Sequence, residues 1–322
     1  HGHRGLKYMK KIFTVVFGAF LLLAFVNIVK ADNSCVLSGS AITGNSSTVF
    51  VNIATGYDDS CWTQPIDQIV TFHKAYACTS FPDAGETNAN TWAASDAALD
   101  ISGCTLVFTS DSAAGSSVNI AEGAAKEVSG TVTVPAAGTY PYLFFLVDPN
   151  FTISGSVEFD VAFSGSVASP GNGVYCWSEA TTASAVYSES TAAYDMMDCS
   201  TTAPATSDIA TNTIFVNGLS AAIGGVNERL FQDFTSLNGD TLTGYLLEGD
   251  LTPATSVDDA AGTITYIGIA SNQSITVTDA TTGFDVQYYN TGGTNMSVSN
   301  VAGTLTADAF LPGPFSIYVT PQ

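Results

Sequence analysis

Basic residues are scarce. The 322-residue sequence has 8 Lys and Arg against 29 Asp and Glu, a formal charge of −21. Five of the eight, Arg4, Lys7, Lys10, Lys11 and Lys30, precede residue 31. The stretch 32–322 therefore holds Lys74, Lys126 and Arg229 against all 29 acids, or −26. Such a surface repels nucleic acid and anionic membrane, whose phosphates call for Lys and Arg. Neither is expected as a partner once a leader has been removed. No Gly-x-x-x-x-Gly-Lys loop occurs, so nothing is set up to cradle a nucleotide.

Histidine is rarer still. Past residue 8 only His73 remains. Acyl transfer needs a nucleophile with a base beside it, and the sequence has no Gly-x-Ser-x-Gly elbow. His73 lies within 69–78, which reads as a strand, where an exposed or hydrogen-bonded histidine is the common case. Paired carboxylates hydrolyse glycosides without histidine, but no spacing singles out two of the 29 acids. The expectation is a protein that is not an enzyme, with no catalytic residue to name. A carboxylate-based hydrolase is the least favoured reading.

No Cys-x-x-Cys pair occurs. The six cysteines are Cys35, Cys61, Cys78, Cys104, Cys176 and Cys199. An even count behind a leader reads as disulfides rather than a metal site. Six cysteines allow fifteen connectivities. The near-equal intervals 35–61, 78–104 and 176–199 favour sequential pairing.

Long apolar runs are confined to the start. Residues 1–8 precede Met9 and read as an upstream, non-native segment. Lys10 and Lys11 lead into an apolar stretch, and Val29-Lys30-Ala31 places small residues where a signal peptidase cleaves. Residues 9–31 thus read as a secretory signal peptide, forming a short helix. The expected location is secreted or at the cell surface. A retained membrane helix is the alternative, since a run this long just spans a bilayer.

What the remainder does have is Ser, Thr, Ala, Gly, Val and aromatic residues, which is strand and turn chemistry. In 151–163, Phe151, Ile153, Val157, Phe159, Val161 and Phe163 share one parity, and polar or small residues share the other. That period of two predicts a half-buried strand. Similar runs occur at 49–53, 70–76, 106–108, 128–134, 241–248, 263–269, 274–278, 283–289, 295–301 and 315–320. Residues 139–147 are nearly all apolar, as in a strand covered on both faces. The fold class is all-β, an antiparallel β-sandwich of immunoglobulin-like or jelly-roll-like kind. The Ser/Gly-rich stretch 164–173 reads as a linker, giving one sandwich over 32–165 and a second over 174–322. One large sandwich with an inserted loop is the alternative. The polar stretch 178–211 reads as an excursion held by its cysteines.

Calcium takes oxygen ligands alone, and Asp58, Asp59, Asp240, Asp250, Asp258 and Asp259 sit in turn-like acidic clusters. None follows the EF-hand spacing, and Asp with Gly commonly just builds turns. Ca2+ is the one cofactor that such clusters would bind. Trp62, Trp92 and Trp177 offer stacking faces for sugars, although Trp62 and Trp177 adjoin cysteines and so read equally as packing against disulfides. Asn-x-Ser/Thr sequons begin at Asn45, Asn150, Asn272 and Asn295.

The run 69–80 (IVTFHKAYACTS), then Ser102-Gly103-Cys104, Gly138-Thr139-Tyr140 and Gly313-Pro314-Phe315-Ser316-Ile317, resembles uncharacterised secreted β-rich proteins of aquatic bacteria. The resemblance implies no known activity and carries over no functional residue. The leading expectation is a structural or interaction protein of the cell exterior: a surface-layer, matrix or filament subunit. Its partner would be another copy of itself or another surface component. Strand addition at a sheet edge would join the copies, with 36–51 as the donor. An extracellular module binding carbohydrate or another ligand is the alternative.

Overall fold

The computed structural model describes residues 35, 37–38, 41–42, 59–83, 97–121, 127–180, 185–187, 196–216, 231–235, 241–254, 264–289, 294–301, 303–313 and 315–322. The leader 9–31 and the run 49–53 lie outside them. From Ala31 to Gln322 the chain forms one compact unit.

That unit is all β. Its first strands are β1 (Leu37–Ser38), β2 (Ala41–Ile42), β3 (Asp59–Thr63), β4 (Asp67–Cys78), β5 (Cys104–Ser110), β6 (Ser116–Asn119), β7 (Gly130–Val132), β8 (Gly138–Tyr140) and β9 (Tyr142–Val147). There follow β10 (Asn150–Ser154), β11 (Ser156–Ser164), β12 (Asn172–Ser178), β13 (Ala185–Tyr187), β14 (Met197–Ser200), β15 (Asn212–Val216) and β16 (Phe231–Thr235). The last are β17 (Thr241–Leu247), β18 (Tyr266–Ser271), β19 (Ile275–Val277), β20 (Phe284–Tyr289), β21 (Thr294–Val301), β22 (Thr304–Pro312) and β23 (Ser316–Pro321).

Two large, mainly antiparallel sheets arise, in a sandwich-like arrangement. The larger has 11 described strands, running β13-β15-β10-β4-β9-β18-β17-β16, with β5, β6 and β7 added beside β4. The smaller has 8, running β1-β2-β11-β22-β21-β3, with β12 and β14 beside β11. Among the described strands three pairings are parallel: β2 with β11, β11 with β22, and β13 with β15. Two further described pairs, β8–β19 and β20–β23, form separate ladders that pack on the large core. Both large sheets draw strands from either side of 164–173, as in β9–β18 and β11–β22.

The stretch 164–173 is bound tightly rather than slack. Ser166 donates Oγ–H to the Asp308 carbonyl and accepts from the Met196 and Met197 amides. The Asp198 carboxylate accepts from the Gly171 and Cys199 amides at 2.7 and 2.9 Å. A Cβ on Gly173 would lie 1.9 Å from the Ser200 carbonyl carbon, so the glycine there is a close-packing requirement. Within 178–211 the structure places β13, β14 and a 3-10 turn at Thr206–Asp208.

Alternation holds through 151–163, with Phe151, Ile153, Val157, Phe159 and Phe163 buried. The strand nevertheless breaks at Gly155. A Cβ there would meet the Phe310 ring at 2.7 Å. β10 belongs to the larger sheet and β11 to the smaller, so the chain changes sheet at that glycine. Phe151 joins a large core with Phe72, Phe144 and Tyr245. Ile153 joins a second core with Phe159, Phe163, Met296 and Phe310. Ile214, Met196, Ala309 and Leu311 form a third small cluster linking β15 to β22. In β9, Leu143 to Val147 are all buried, as the apolar run predicts. In β5 the parity differs from the apolar reading. Val107 is buried, while Leu106 is 38% exposed and Val132 of β7 is 51% exposed.

The disulfides pair sequentially: Cys35–Cys61, Cys78–Cys104 and Cys176–Cys199. Two of them join residues directly opposite in neighbouring strands, β4 with β5 and β12 with β14. The third ties residue 35 to β3, where the Cys35 amide also donates to the Trp62 carbonyl.

Candidate functional site around His73

His73 sits where the sheet is interrupted on both sides. On one flank β9 pairs with β4 up to Val147, and β10 resumes at Thr152 opposite Ile69. Pro149 lies in the gap and has no N–H to continue a ladder. On the other flank β5 reaches Thr109 opposite Lys74, and β6 resumes at Ser116 opposite Phe72. Residues 111–115 loop out between them, and the Ser110 and Ser116 hydroxyls close the loop at 2.7 Å. A register shift between Phe72 and Lys74 makes His73 the extra, bulged residue.

Each interruption sends one group towards the imidazole. Asp148 Oδ2 lies 3.6 Å from His73 Nε2, an ion-pair distance rather than a hydrogen bond. Gly115 approaches from the opposite flank with φ of +80°, and a Cβ there would stand 2.4 Å from Thr71 Cγ2 and 3.1 Å from His73 Nε2. Tyr266 of β18 meets the imidazole edge-on, with ring centroids 5.0 Å apart. The Nε2 atom is sealed from solvent and has no hydrogen-bond partner among the described residues.

Asp148 is held from its other side too. Its Oδ1 accepts from the Asn150 backbone and side-chain nitrogens, each at 2.8 Å. Its own amide donates to the Thr71 carbonyl. Burial pushes the carboxyl upward, but His73 and the Asn150 bonds outweigh it and hold it below the usual carboxylate range. Across the sheet, Thr71 and Ser117 hydroxyls bond at 2.7 Å. The arrangement anchors a break in the sheet with an acid–imidazole contact. With Nε2 turned inward and sealed, that nitrogen is not presented to a substrate.

The other candidates separate. Asp250 accepts from the Thr252 amide and hydroxyl at 3.1 and 2.5 Å, which lowers its carboxyl pKa and builds a turn. Leu251 next to it takes a left-handed φ of 68°. Asp59 opens β3. Asp58, Asp240, Asp258 and Asp259 lie outside the described residues. No group of three His, Cys, Asp or Glu side chains positioned for a metal occurs among the described residues. Trp177 is buried, and its Nε1 has no partner among the described residues. Trp62 is partly exposed, and Trp92 lies outside the described residues. Of the sequon asparagines, Asn150 and Asn272 are exposed and Asn295 is buried.

Sequence reasoning noted His73 but missed Asp148 and Tyr266. A signal existed for the former. Asp148-Pro149-Asn150 is a turn triplet inserted between two apolar strands.

Comparison with family models, curated proteins and solved structures finds no match to this chain. What the fold and site define is a class: a disulfide-bonded, all-β protein with two large sheets.

Proposed function

We propose that this chain is an exported structural or interaction protein of the cell exterior, assembling with copies of itself or with other surface components. The observation that carries the reading is that all six cysteines are paired. Structural disulfides belong to oxidising compartments, in keeping with a secretory leader at 9–31. The acidic surface, −26 over 32–322, keeps such a protein soluble outside the cell. Assembly is supported by a described edge strand that carries no charge of its own. Among the described strands β7 pairs only with β5, and the two strands carry exposed Leu106 and Val132 and no charged residue, while the Thr131 hydroxyl of β7 donates to the Asp111 carboxylate. Natural edges are commonly blunted by charge or proline.

The donor segment 36–51 is only partly described. Within one chain β1 and β2 pair with each other, and Ile42 of β2 pairs with Phe159 and is buried. A donor role therefore requires the same pairing between chains. Electron microscopy and sedimentation of the purified disulfide-bonded protein test the reading. Polymers or oligomers are expected, and Val132→Lys should reduce them. A strict monomer at all concentrations overturns assembly.

A second reading, an extracellular carbohydrate-binding module, is supported by the partial exposure of Trp62 on β3, the last described strand of the smaller sheet. Calcium stiffening of an acidic loop remains a proposal for Asp58, Asp59, Asp240, Asp250, Asp258 or Asp259. Melting curves that superimpose with and without a chelator would remove it.

A further inference from the structure

We infer that Trp62 and Asn295 form a subsite for a neutral polysaccharide, an assignment that rests on the carbohydrate-binding reading. β3 is the last described strand of the smaller sheet, where it pairs with β21, and the Cys35 amide donates to the Trp62 carbonyl. In that pairing Trp62 stands directly opposite Asn295. Directly opposed residues share a sheet face and lie in side-chain contact range. Asn295 is in turn opposite Leu311, which is 4% exposed. The carboxamide is thus flanked by a partly exposed indole on the rim and an apolar residue within.

The second observation is the state of that carboxamide. Asn295 is 5% exposed, and its Oδ1 has no hydrogen-bond partner among the described residues. Buried polar atoms are nearly always bonded, and beside a partly exposed indole a sugar hydroxyl is a donor that would satisfy this one. A pyranose supplies what the pair lacks. Its C–H face stacks on an indole, and its hydroxyls donate to a carboxamide oxygen. Oδ1 is sealed in the free protein, so in this inference binding turns the partly exposed Trp62 ring that stands opposite it. The ligand is neutral because a chain of −26 over 32–322 repels acidic polymers.

Co-sedimentation of the disulfide-bonded protein with cellulose and with chitin tests the subsite, with alginate as the acidic comparison. Wild type should be retained on one of the neutral polymers. Trp62→Ala should weaken retention at least about tenfold, as loss of an aromatic anchor does, and Trp62→Phe should recover part of it. Asn295→Leu removes the orphan acceptor at similar volume. It should weaken retention while leaving the urea midpoint equal or higher, a split that a purely structural asparagine would not give. Retention of wild type on neither neutral polymer, or on alginate alone, overturns the inference; retention on none of the three removes the carbohydrate reading with it. Unchanged retention of Trp62→Ala and Asn295→Leu on a polymer that holds wild type overturns this subsite and leaves the reading standing.

Discussion

At the scale of single residues, the break at His73 depends on two small features. Gly115 combines a left-handed backbone with no room for a Cβ beside Thr71. Gly115→Ala should therefore cost about 1–3 kcal/mol, from backbone strain plus overpacking, read as a lower urea midpoint. Asp148 gives a pH dependence. Its folded pKa lies below the unfolded value of about 3.9, so its contribution is complete above that value. It is lost as pH falls through the lower folded value. Wild type should lose stability on acidification below about pH 4, and Asp148→Asn should lose less over the same range. Urea midpoints from neutral pH downwards check this; parallel curves would refute the role given to Asp148. Neither residue was legible as a partner of His73. Their sequence separations of 42 and 75 positions close only through β-pairing.

At the scale of elements, the disulfides and one side chain hold strands that ladders alone leave exposed. Cys176–Cys199 spans 23 residues and crosses β12 to β14, inside the second core. Replacing both cysteines with Ala should destabilise by about 3 kcal/mol from unfolded-chain entropy, measured by denaturant titration. Gln273 acts as a short piece of strand. Its carboxamide donates to the Val319 carbonyl at 3.2 Å and accepts from the Val319 amide at 3.1 Å. Gln273→Ala removes both bonds to β23 and should cost about 1–2 kcal/mol, with faster amide exchange at Val319. Strand existence was readable where apolar residues alternate, as in β10, β11 and β21. It was missed in β3, β6, β12, β13, β14, β15, β16 and β22. β22 alternates little because both its faces are buried, with Ala307 and Phe310 in one core and Ala309 and Leu311 in another. A strand covered on both sides has no polar face to mark its period.

At the scale of the whole molecule, charge and topology govern behaviour together. Residues 32–322 carry −26 and repel one another, and salt screens that repulsion over a Debye length of about 10 Å at 0.1 M. Raising salt from about 0.01 to 0.15 M should therefore raise the melting temperature. If the β7 edge pairs copies of the chain, the same change should favour assembly. Calorimetry and sedimentation at the two salt concentrations check both. A melting temperature that falls with salt would mean that the acidic groups are held by attractive pairs instead.

The β character, the acidity and the even cysteine count are properties of the chain by itself. They follow from composition and from a local period of two, which need no knowledge of neighbours. Sequential disulfide pairing was favoured by spacing and decided by the cross-strand register that sets Cys78 against Cys104 and Cys176 against Cys199. Tertiary structure alone decided that strands from both sides of 164–173 share two sheets, and that Asp148 and Tyr266 meet His73. The same holds for Asn295, which stands opposite Trp62 across 233 positions of sequence. The physical reason is common to all three. A strand displays its alternation locally, but its partner is chosen by long-range burial and hydrogen bonding.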